Sequence, residues 1–172
     1  MRNHQDDYLL FCELVDHVVN IEGGFVDDPD DPGGPTKYGV AWNYNSAILT
    51  SLGYTRDTVD QLTEEHARRV YYLRYWLPSL TNTIPNKRLA FIHFDAAVNC
   101  GVGQAKIFLS RLSKEPKNYE DAPGKNVDLW WRLVQEYLAH RMHFYSHATN
   151  RRKYIDGWIN RLVLVIRKAL TF

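Results

Sequence analysis

The sequence predicts a mostly α protein with a small hairpin or loop after its first helix, and three observations carry that reading. Apolar residues recur at helical spacing along most of the chain. One stretch, from about Phe25 to Val40, instead gathers Asp, Pro and Gly at the density of consecutive turns. Hydrophobic residues make up 45% and charged residues 24% of 172 positions, the usage of an ordinary globular chain long enough to bury a core in a single domain, 1–172.

Each element has its own signal. Phe11, Val15, Val18 and Glu22 follow one another at steps of four, three and four, so a helix from roughly Tyr8 to Glu22 would place them on one face. Gly23 and Gly24 then supply the permissive backbone of a C-terminal cap. Thr63 is a good N-cap with Glu64 and Glu65 in the first turn, where the helix dipole favours acids, and Pro78 closes that helix. Leu89 to Asn99 is apolar nearly all round, which marks a buried central helix, with Gly101 as its cap. Ile107, Phe108 and Leu112 suggest a short helix. Val127, Trp130, Val134, Tyr137, Arg141 and Tyr145 trace a long one, and Tyr154, Trp158, Leu162, Val165 and Ala169 trace the last. Lys114 to Asn126, between the short helix and the long one, reads as a polar loop.

Composition also excludes. A net charge of +1 gives no strong pull towards polyanions, so no nucleic-acid partner is expected, although Arg151, Arg152, Lys153, Arg161, Arg167 and Lys168 make the C-terminal part locally basic. That cluster reads first as a solvated face and second as a contact for an anionic envelope polymer. Cys12 and Cys100 both stand in apolar contexts and fit free thiols better than a disulfide framework. No N-terminal leader is expected, because Met1 to Asp7 reads MRNHQDD and the apolar positions after it are interrupted by Glu13 and Asp16, and no stretch reaches membrane-spanning length. A monomer is expected.

The chemistry-bearing feature is Glu22 to Val40. A carboxyl held against apolar neighbours has its charged form disfavoured, so Glu22 on an apolar stripe would keep a proton near neutrality. Asp27, Asp28, Asp30 and Asp31 lie on the following loop, wet and ionised. One protonated and one ionised carboxyl are the minimum equipment for hydrolysing a glycosidic bond. The plainer reading is a helix exit followed by an ordinary loop.

The residues favour the first reading through a resemblance. Glu22-Gly23-Gly24-Phe25, Asp31-Pro32-Gly33-Gly34, Thr36, Tyr38 and Gly39 are similar to the signature of the glycoside hydrolase 108 family, a lysozyme-like group of N-acetylmuramidases common among phage endolysins. Ala67 to Tyr72 through Tyr75-Trp76 resembles that family's helix ending in Tyr-Trp. Phe94-Asp95-Ala96-Ala97-Val98-Asn99-Cys100-Gly101 resembles its Phe-Asp-x-Ala-Val-Asn-x-Gly segment, and Gly157-Trp158-Ile159-Asn160-Arg161 its closing Gly-Trp-x-Asn-Arg. Lys114 to Asn126 departs from it, keeping little of the family's peptidoglycan-binding pattern, so a helical portion at about 127–172 would replace or reduce that segment.

The resemblance implies a lysozyme-like helical fold and a peptidoglycan hydrolase cleaving after N-acetylmuramic acid. A non-catalytic peptidoglycan-binding or virion structural component is the alternative from another class. Glu22 is the expected general acid, and Asp31 takes the second catalytic role ahead of Asp28 and Asp30. Thr36 is the third catalytic candidate, one residue early for the Glu, Asp, Thr spacing of other phage lysozymes. Tyr38 is placed to donate its hydroxyl to substrate or to Glu22. Tyr75, Trp76 and Trp158 are candidate ring platforms for sugars. Asp95 and Asn99, four apart on an otherwise apolar helix, need partners, either a network around the glutamate or a sugar amide. No cofactor is expected. His140, His143 and His147 share a helical face but lack a supporting carboxylate or Cys signature for zinc. The Asp-rich loop fails as an EF-hand, since counting from Asp28 its fifth position is Pro32 and its twelfth Gly39. Such an enzyme, made in a host bacterial cytoplasm and acting in the periplasm or wall, would need a holin or carriage on a phage particle to reach its substrate.

Overall fold

The computed structural model describes residues 3–19, 24–112, 126–149 and 151–172, with the backbone alone for residues 126–128. Glu22, Gly23 and most of the polar loop at 114–126 therefore lie outside the described residues. The fold is mostly α, with one two-stranded antiparallel hairpin among the described residues. The residues gather into two compact units, Arg2–Pro78 and Ser79–Phe172.

The first unit opens with helix α1, His4–Val18, whose N-cap Asn3 accepts from the Asp6 N–H. Phe11, Leu14, Val15 and Val18 form its buried face. The helix ends at Val18, and Val19 is already extended at φ −117°, ψ 140°. The helical periodicity expected to carry the apolar stripe on to Glu22 thus stops four residues short of it. Strands β1 (Thr36–Lys37) and β2 (Val40–Ala41) form the hairpin, in the segment the turn residues marked. Helix α2, Trp42–Ser51, follows directly; its low amphipathicity and its lack of a side-chain cap at Ala41 explain why no sequence signal announced it. After a 3-10 turn at Arg56–Gln61 comes α3, Glu64–Tyr71, capped as expected by Thr63, whose hydroxyl accepts from the His66 N–H. It runs on as a π-helical turn at Tyr72–Trp76 ahead of Pro78.

That π turn aims Tyr72 and Trp76 at a buried acid. Asp7 accepts from the Tyr72 hydroxyl at 2.9 Å and from the Trp76 indole N–H at 2.9 Å. Burial, reinforced by the hydrogen bond to Asp7, pushes the Tyr72 hydroxyl up to about 12, so it remains a donor. Phe11 meets both rings edge-on, which completes the core.

The second unit is helical. Its central helix α4, Lys87–Cys100, is buried continuously from Leu89 to Ala97, as the all-round apolar pattern required. Gly101 at φ +86° turns the chain into α5, Val102–Ser110. Helices α6, Asn126–His147, and α7, Arg151–Ala169, follow the two long periodic patterns. Phe108, Val134, Tyr137, Leu162 and Val165 join α4 in the core. His93, completely buried, bridges the Ser79 carbonyl and the Tyr137 hydroxyl, each at 2.9 Å. Burial lowers its pKa to about 4, so the neutral ring donates from Nε2 to Ser79 and accepts from Tyr137 at Nδ1. Cys12 and Cys100 are free thiols. No described helix is long and apolar enough to cross a membrane.

Candidate active site

The loop that carries Asp31 is built from its own turn chemistry. Asp31 Oδ1 accepts the Gly33 N–H at 2.7 Å and its carbonyl accepts the Gly34 N–H at 3.0 Å. This Asx-type turn fixes the carboxylate of an exposed residue without burying it. Gly34 sits at φ +66°, a conformation a Cβ would strain. The neighbouring acids have other tasks: Asp28 Oδ1 accepts the Asp30 N–H, and Asp27 pairs with Arg56 at 3.6 Å.

Beyond the turn the chain enters a small β framework. Thr36 pairs with Val26 on one side through two backbone hydrogen bonds of 2.8 and 2.9 Å, and with Ala41 on the other. Its hydroxyl donates to the Gly34 carbonyl at 2.8 Å. The two-residue connection Tyr38-Gly39 has φ of +53° and +72°, the double left-handed geometry that matches hairpin twist. For tyrosine that conformation costs on the order of 1–2 kcal/mol. A contact holds it there: the Tyr71 hydroxyl donates to the Tyr38 carbonyl at 3.2 Å. The same hydroxyl lies 2.6 Å from where a Cβ on Gly39 would stand, so glycine is required there twice over. Tyr71 stacks on Tyr75 with centroids 5.7 Å apart, and Arg74 Nε donates to the Tyr75 hydroxyl. Asp31, Thr36, Tyr38 and Tyr75 therefore belong to one connected framework, with the last three partly exposed.

The remaining candidates form a second connected set, in the helical unit. Asp95 is completely buried; its Oδ1 accepts Nε and Nη2 of Arg161 at 2.9 and 2.6 Å, and its Oδ2 lies 2.6 Å from Arg141 Nη1. The Arg141 contact is one of charge proximity, because its N–H is not well aligned on the carboxylate. Burial opposes the charge on Arg141, but the adjacent Asp95 carboxylate, together with Tyr145 and Cys100, outweighs it and holds the guanidinium protonated. Arg141 Nε donates to Tyr145, which stacks on Trp158 at 5.0 Å. Asn99, itself exposed, donates from its amide to the Asp95 carbonyl at 2.7 Å.

Two expected sugar contacts are corrected by burial. Trp76 is fully enclosed with its N–H on Asp7, so it has no face to offer a ring. Asp95 spends its carboxylate on two arginines and anchors a network of its own. Sequence reasoning overlooked Asp7, Arg141 and Arg161 as partners. The available signal was a charged residue standing on an apolar helical stripe, as Arg141 does. Of the histidines weighed for zinc, His143 and His147 lie against each other with tilted rings, centroids 4.1 Å apart. No group of three metal-ligating side chains occurs among the described residues.

The family model described as Glycosyl hydrolase 108 matches residues 15–101, half of the chain. The chain belongs to the glycosyl hydrolase 108 family. The matched span of this family member holds Glu22, Asp31, Thr36, Tyr38, Tyr75, Asp95 and Asn99, whereas Trp158 lies beyond it. As a glycosyl hydrolase 108 protein it is a glycoside hydrolase, with the lysozyme-like, peptidoglycan-degrading activity of that family in general. No curated protein matches the sequence. Among solved structures it is similar to SagA from Brucella abortus, 23% identical over 94% of both chains with a TM-score of 0.68, a likeness of fold.

Proposed function

We propose that this glycosyl hydrolase 108 protein is an N-acetylmuramidase, cleaving the glycosidic bond after N-acetylmuramic acid, with Glu22 as general acid and Asp31 as the second carboxylate. The observation that carries this reading is the Asp31 turn. An exposed carboxylate, fixed by the Gly33 N–H at the motif position, is suited to support a developing oxocarbenium ion or to activate water. Thr36 donates its proton to Gly34, which leaves oxygen lone pairs able to hold a water, the role proposed for it. Tyr38 and Tyr75 in the first unit, and Asn99 and Trp158 in the second, are the proposed sugar contacts. Residues 1–172 act as one lysozyme-like domain, in which the helices of about 127–172 stand in for the family's peptidoglycan-binding segment. The biological setting proposed is phage lysis: a monomeric endolysin or virion-borne hydrolase, made in the host cytoplasm and delivered to the wall by a holin or a particle.

The test sets Asp31 against its neighbours. Asp31→Asn should lower the release of reducing ends from purified peptidoglycan on the order of a hundredfold. The same change at Asp27, Asp28 or Asp30 should cost no more than a few-fold. Thermal unfolding should barely move for Asp31→Asn, because the side chain is exposed and an amide oxygen still accepts the Gly33 N–H. A folded Asp31→Asn protein that turns over normally would remove Asp31 from the mechanism.

A further inference from the structure

We infer that Tyr44 is a sugar-binding residue of the same site, stacking its ring on a glycan sugar beside the Asp31 carboxylate. This rests on the reading of Asp31 as a substrate-facing carboxylate. The geometry comes from Gly33. A methyl group on Gly33 would stand 3.1 Å from Asp31 Oδ1 and 3.4 Å from Tyr44 Cε2. The bare glycine is thus flanked by the carboxylate and by the edge of the aromatic ring.

The pairing is held by backbone. Three hydrogen bonds staple the first turn of α2 to the Asp31 loop: Trp42 N–H to Pro35, Asn43 N–H to Gly33, and the Asn43 amide to Pro32, at 2.9, 3.0 and 2.9 Å. Tyr44 follows immediately and has little freedom to drift from Asp31. The residue is 54% exposed, and among the described residues its side chain makes no hydrogen bond, ion pair or ring contact. An aromatic face held open beside a fixed carboxylate suits a pyranose, whose C–H faces pack on rings while its hydroxyls reach the charge. Tyr44 lies inside the span that matches the family, but motif reading did not single it out.

The test measures KM and kcat on soluble, peptide-free peptidoglycan glycan strands for Tyr44→Ala, Tyr44→Phe and the parent protein. Tyr44→Ala should raise KM about fivefold to tenfold, the size of one aromatic stacking contact, and leave kcat within about twofold. Tyr44→Phe should keep the parental KM, since the ring rather than the hydroxyl does the binding. Unfolding midpoints should coincide, because the side chain is exposed. Unchanged KM in a cleaving Tyr44→Ala protein would overturn this assignment and leave the Asp31 reading intact. Parent protein that leaves the strands uncut would overturn both.

Discussion

Glu22→Gln is expected to cut peptidoglycan turnover by on the order of a hundredfold or more while the protein stays folded. Glutamine matches glutamate in shape but carries no acidic proton to give to the leaving oxygen. The assignment stands on Glu22-Gly23-Gly24-Phe25, inside the span that matches the family, and on the need for one acid that stays protonated when a sugar leaves. The apolar stripe that first suggested a buried glutamate ends with α1 at Val18, so its spacing no longer supports that burial. Assaying Glu22→Gln beside Asp31→Asn separates the two roles. Near-parental turnover by folded Glu22→Gln protein would leave the general acid to another residue.

The largest stability effect is expected at Asp95. Asp95→Ala should cost about 3–5 kcal/mol, because it leaves the fully buried Arg141 guanidinium without its counter-charge. Global stabilities are typically only 5–15 kcal/mol, so urea unfolding should show a large drop in midpoint. Adding Arg141→Met to Asp95→Ala should recover part of the loss, since the stranded charge is gone. A loss below about 1 kcal/mol for Asp95→Ala would mean that the pair is not buried in solution.

Much of the fold was legible because it depends on local periodicity. The central helix announced itself by being apolar on every side, and Thr63 and Gly101 marked helix ends through backbone requirements that hold in any context. The hairpin was legible as turn chemistry, since Tyr38-Gly39 needs two positive φ values and Asp31-Pro32-Gly33-Gly34 makes its own hydrogen bonds. What stayed hidden was long-range pairing. Trp76 looked like a cleft aromatic until its N–H was found on Asp7, 69 residues away, and Asp95 reaches Arg161 across 66. No spacing rule joins such residues. Tyr44 was hidden for another reason, since an aromatic in a weakly amphipathic helix carries no signal until Gly33 places it beside a carboxylate.

The most direct measurement of the central claim is mass spectrometry of purified peptidoglycan digested by the protein and then reduced with borohydride. A muramidase predicts fragments that all end in reduced N-acetylmuramic acid, with their stem peptides intact. Fragments ending in reduced N-acetylglucosamine, or cut within or before the stem peptide, would contradict it.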